Sequence, residues 1–199
     1  MRNWLIAFGL CCLAIVLSIR FVDVPVARFL HTMPWQEAMH VSAFDIPVLI
    51  GACGILLVGF AIQKSLGGQI RGWEETALLI VLSLSWGVSV TVCLLKPLFG
   101  RPMPYVFFAN GNAEFHYWRW ALDNSFPSGH AVQIASVTTV LWMAYPGLRV
   151  LWAASAAMGY LLLILGNWHF VSDVIAGGFL GTLSAAVIVT LWRTRQSAN

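Results

Sequence analysis

The sequence predicts an all-α, polytopic membrane protein: a six-transmembrane-helix bundle forming one domain over residues 1–199. Composition is the first reason. Hydrophobic residues make up 59% of the chain and charged residues 10%, with a mean hydropathy of +0.80, whereas a soluble domain typically carries about a quarter charged residues. The second reason is span length. Six stretches, about 4–20, 44–63, 76–95, 128–146, 148–166 and 170–192, approach the roughly 20 apolar residues a helix needs to cross a bilayer. The third is punctuation: Pro146-Gly147 marks a tight turn between the fourth and fifth spans.

The same numbers exclude other classes. A formal charge of +3, from scattered basic residues, leaves no stripe to track a nucleic-acid backbone, so no nucleic-acid partner is expected. Cys11, Cys12, Cys53 and Cys93 lie in apolar stretches without metal-ligand spacing and read as packing residues.

At the N-terminus, Arg2 precedes an apolar run from Trp4 to about Ile19 with no small-x-small cleavage site after it. That run reads as a retained first span, not a signal peptide. Loops are expected at about 21–43 and from Lys96 to Pro127. With six spans both termini share a side, which carries Arg2, Lys64, Arg71, Arg149, Arg193 and Arg195. The other side carries Arg20, Arg28, Lys96, Arg101 and Arg119. The basic bias places the termini in the cytoplasm of a bacterial inner membrane, the more so if Lys96 and Arg101 are reserved for chemistry. Trp4, Trp35, Trp73, Trp118, Trp120 and Trp192 fall near span ends, as interfacial aromatics do. Gly177 and Gly181, one helical turn apart, invite close approach of a neighbouring helix.

In so apolar a chain the polar residues at membrane boundaries carry the information. Three clusters fall on the outer side. In the last, His169 and Asp173 are four apart and share a helix face. A carboxylate there can hold one imidazole nitrogen and leave the other free as a nucleophile. In the second, Pro127-Ser128-Gly129-His130 opens a helix. Ser128 is a natural N-cap, Gly129 admits a ligand to backbone N–H groups, and His130 is placed to protonate a departing alkoxide. In the first, Lys96 and Arg101 flank a proline-stiffened loop as a phosphate clamp. Each cluster alone has an ordinary reading as a cap, a helix-start acid or boundary cations. Together they are the parts of phosphoryl transfer through a phosphohistidine. No acidic cluster marks a metal site, so no metal or other cofactor is expected.

With these residues the chain resembles the type 2 phosphatidic acid phosphatases, the superfamily of bacterial lipid phosphatases, glucose-6-phosphatase and vanadium haloperoxidases. Their signature runs K-x6-R-P, then P-S-G-H, then S-R-x5-H-x3-D. Pro127 to His130 match in full, and His169 and Asp173 match H-x3-D with a family-like continuation to Gly177. The resemblance implies His169 as nucleophile, Asp173 as its orienter and His130 as general acid. It also implies Lys96, Ser128 and Gly129 as phosphate binders. Two positions depart. Met103 stands where the first motif has arginine, with Arg101 two residues earlier, and Leu162-Leu163 replace the third motif's Ser-Arg. Three readings are open: Arg101, with Arg119, takes over part of the work; the substrate supplies what is missing; or the protein binds a lipid phosphate without turning it over. The intact nucleophile, orienter and acid favour an enzyme.

The sequence thus points to hydrolysis of a phosphomonoester or pyrophosphate on an isoprenoid, glycerolipid or lipid A type molecule. Membrane lipids would surround it, and its oligomeric state is open. A phosphotransferase using the same histidine is the alternative. The aromatic loop from Pro104 to Ser125 is expected to cover the site or seat a head group, or else to rest on lipid. Glu114, His116 and Asp123 within it lack diagnostic metal spacing.

Overall fold

The computed structural model describes residues 2–35, 45–69 and 72–198. Its elements are α1 (Arg2–Leu17), α2 (Asp23–His31), α3 (Asp45–Ser65), α4 (Trp73–Val90), α5 (Lys96–Phe99), α6 (Pro104–Asn110), α7 (Gly129–Ala144), α8 (Arg149–Leu165) and α9 (Val171–Ser197). A π-helical turn, Ser18–Val22, joins α1 to α2, and another, Thr91–Leu95, joins α4 to α5. No strand occurs among the described residues; Pro102 and Asn124 form an isolated bridge.

The all-α membrane bundle is as the sequence predicts. Five of the described helical segments are long and apolar enough to cross a membrane. The sixth member, α7, has 16 residues, about 24 Å at 1.5 Å per residue. It is nonetheless the centre of the bundle, packed against α4, α8 and α9, while α3 lies on α4 and α1 on α9. Small and branched side chains fill the interior, with Leu79, Val140, Ala185 and Val189 in one cluster and Ala131, Leu163 and Val174 in another. Outward faces are apolar instead of charged: Leu5 on α1, Ile55 on α3 and Val150 on α8 are all exposed, as lipid-facing helices require.

Several boundaries differ from those the sequence predicts. The expected 21–43 loop begins with α2, whose Asp23, Arg28 and His31 break the apolar pattern that marks a span. Residues 36–44 of that loop, and Arg71, lie outside the described residues. The expected Lys96–Pro127 loop contains α5 and α6, each with proline in its first turn, where a missing N–H costs nothing. Pro146–Leu148 forms the anticipated tight turn, as a 3₁₀ segment.

Gly177 and Gly181 do bring α7 and α9 close. A Cβ on Gly177 would run into the Ser128 carbonyl and Ala131, and one on Gly181 into the Val132 carbonyl and Ala135. Gly177→Ala is therefore expected to destabilise the bundle by about 1–3 kcal/mol, the usual range for overpacking. Gly9, whose Cβ would meet nothing within 4 Å, supplies the control. Thermal unfolding in detergent should show a loss for Gly177→Ala and none for Gly9→Ala.

Candidate active site

Two helix starts and two interhelical loops build the site. Ser128 caps α7, its side chain accepting from the Ala131 N–H at 3.2 Å, as the sequence predicts. The Ser128 N–H donates to the Asp173 carbonyl at 3.0 Å, which locks the start of α7 to the start of α9. His169 sits in the short connection before α9. Asn167, at φ 54, anchors that connection by donating to the Ala27 carbonyl on α2 at 3.1 Å.

His169 is 3% exposed. Its Nε2 lies 3.4 Å from His130 Nδ1, so the expected nucleophile and acid face one another. On the other edge, Nδ1 lies 3.7 Å from Asp173 Oδ2. Ser125 stands beside both: its Oγ is 3.3 Å from Nδ1, and its hydroxyl donates to Asp173 Oδ2. That network assigns the proton of neutral His169 to Nδ1, donating to Ser125 Oγ, and leaves the Nε2 lone pair toward His130. Ser125 is a site residue that sequence reasoning missed. Its one sequence signal is its place just before Phe126-Pro127-Ser128.

Burial pushes the His169 imidazole down from 6.5 to about 4; the Asp173 carboxylate pulls the other way, and Lys96 and His130 add to the lowering. This has two consequences with pH. The unfolded chain takes up this proton near 6.5 and the folded one only near 4, so this group lowers stability as pH falls between those values and leaves it unchanged above them. With His169 in its expected role as nucleophile, an imidazole kept neutral to about pH 4 should likewise place its limb of the kcat/KM profile well below 6.5. A steady-state pH profile checks this; a limb from His169 at 6.5 would contradict it.

The cations occupy different places. Lys96 is 8% exposed and donates from Nζ to the Asn124 carbonyl at 2.6 Å. The π turn before it displaces the register of the preceding helix, a device frequent at functional sites. Arg101, expected with Lys96 as a phosphate clamp, is turned to carboxylates. It is 1% exposed, with Nη1 on Ser172 Oγ at 2.7 Å and Asp173 Oδ1 at 2.9 Å, and Nη2 on Asp23 Oδ2 at 2.9 Å. Arg119 forks onto Asp123 and reaches Asn124 Oδ1 at 3.2 Å. Leu163 is sealed in the apolar cluster with Ala131 and Val174, and the Met103 backbone starts α6.

In the outer loop, Asp123 is held by Arg119 and His116 lies 3.4 Å from the Asn112 amide. His116, Tyr117 and Arg119 border a cavity of about 430 Å³ beside Pro102.

Fold and site together define a class: a helical membrane protein with a facing pair of histidines where α7 and α9 begin. Residues 76–197 match the family model of the PAP2 superfamily. The chain belongs to that superfamily. Among solved structures it resembles the crystal structure of a transmembrane PAP2-type phosphatidylglycerolphosphate phosphatase from Bacillus subtilis. The two share 19% identity over 98% of each chain, with a TM-score of 0.55, a likeness of fold. No curated protein matches the chain.

Proposed function

We propose that the protein is a lipid phosphate phosphatase working through a phosphohistidine at His169, without a metal or other cofactor. The observation that carries this reading is the facing pair, His169 Nε2 and His130 Nδ1 at 3.4 Å, set at the capped start of α7. The Nε2 lone pair attacks phosphorus, and the bond from phosphorus to the lipid oxygen breaks. His130, which is only partly buried, moves aside as phosphate enters and protonates the departing oxygen. Water then attacks the phosphohistidine, His130 takes its proton, and phosphate leaves with His169 restored. Lys96, the Ser128 hydroxyl and the Gly129 N–H hold the phosphoryl oxygens.

The substrate class is a phosphomonoester or pyrophosphate of an isoprenoid, glycerolipid or lipid A type. The whole of 1–199 acts as one domain, with the site on the outer face of the inner membrane. Phosphate release from a panel of such lipids by the purified protein tests the activity. Turnover of a ³²P-labelled member, quenched in alkali where phosphohistidine survives, tests the route. Label recovered on the peptide containing His169 is the expected result; release with no labelled protein at any quench time would overturn the covalent step.

A further inference from the structure

We propose that Arg101 and Asp23 are positioning residues for the His169–Asp173 pair, and that Arg101 does not bind the substrate phosphate. The inference rests on the reading of His169 as nucleophile and adds to it a residue from the N-terminal region, outside the segment matched by the family model.

Asp173 has two oxygens with divided duties. Oδ2 serves the site: it accepts from the Phe170 N–H at 2.9 Å and from Ser125, and faces His169. Oδ1 is held from behind by Arg101 at 2.9 Å. Arg101 is itself held by Asp23, and Asp23 grips the same helix start, accepting from the Ser172 N–H at 3.0 Å and the Ser172 hydroxyl at 2.5 Å. The guanidinium lies over the Phe170 ring, 3.9 Å from its centroid. These contacts take three of its five N–H donors, and among the described residues Nε has no partner and is closed to solvent. The residue is 1% exposed, with both its terminal nitrogens turned to carboxylates. Asp23 comes directly after a π turn, as Lys96 does. Such a turn carries one extra residue and so re-aims the side chains beyond it.

The charged and titratable groups around His169 lie in two layers. Lys96, His130 and Asp173 act on it directly, and Arg101 and Asp23 lie behind Asp173. The test uses full-length protein in detergent. Asp23→Asn and Arg101→Lys are each expected to lower kcat at least tenfold, while the inhibition constant of inorganic phosphate changes less than twofold. A tenfold weaker phosphate inhibition in Arg101→Lys would identify a phosphate clamp and overturn the proposal. So would full activity in Asp23→Asn. ¹⁵N-histidine spectra give a readout independent of turnover. His169 should titrate at higher pH in Arg101→Gln, where Asp173 loses its cation, and return toward wild type when Asp23→Asn is added. An unshifted His169 in Arg101→Gln, or no return in the double variant, would overturn the proposal even if no lipid in the panel were hydrolysed. Should Arg101→Gln not fold, the charge-balanced double variant decides, with wild-type His169 titration expected.

Discussion

His169→Ala is expected to abolish phosphate release, lowering kcat/KM by about 10⁴-fold or more, the order of loss when a covalent nucleophile is removed. Among the described residues nothing near the site offers a substitute: Ser125 Oγ lies on the Nδ1 side of His169, turned to Asp173, and His130 is engaged from the opposite side. The fold should survive, because the start of α9 is held independently by the Asp173 cap on the Phe170 N–H and by Asp23 on Ser172. Alanine also removes a buried imidazole whose protonation opposes folding in acid. The variant should accordingly lose less stability than wild type between pH 6.5 and 4. Parallel measurement of phosphate release and detergent unfolding separates the two effects. Wild-type phosphate release by the alanine variant would remove His169 from the reaction.

His130→Ala is expected to cost about 10²–10⁴-fold in kcat on lipids whose leaving oxygen is a simple alkoxide, the range for loss of a general acid. An alkoxide leaves badly without a proton. A pyrophosphate lipid or an aryl phosphate leaves as a weak base, and with those the same variant should lose far less. His130 occupies the first turn of α7, but Ser128 and the Ser128–Asp173 backbone bond hold that helix start without it. The comparison of good and poor leaving groups in one variant is therefore a chemical test. Equal damage to both would assign His130 to phosphate binding and leave the acid to be found elsewhere.

The chain alone determined its fold class and the polar patterns at the starts of α7 and α9, because both are written locally. Hydropathy over about 20 residues reads membrane burial directly. The Ser128 cap and the His169–Asp173 pair are short-range patterns, each contained within about one helical turn. Elements that break the apolar pattern left no such trace: α2, interrupted by Asp23, Arg28 and His31, and the proline-led α5 and α6.

The tertiary structure alone decided the contacts made at long sequence separation. Ser125 meets Asp173 across 48 residues and Asp23 meets Ser172 across 149, so no local pattern pointed to either contact. Arg101 is the sharpest case. Its place beside Lys96 suggested a phosphate clamp, yet its partners Asp173 and Ser172 are 72 and 71 residues away. A buried guanidinium must be paired and hydrogen-bonded, and which carboxylates satisfy it is settled by how α2 and α9 pack. Two π turns, at Ser18–Val22 and Thr91–Leu95, aim the Asp23 and Lys96 side chains; one extra residue in a turn leaves no mark in hydropathy, but it rotates every side chain after it.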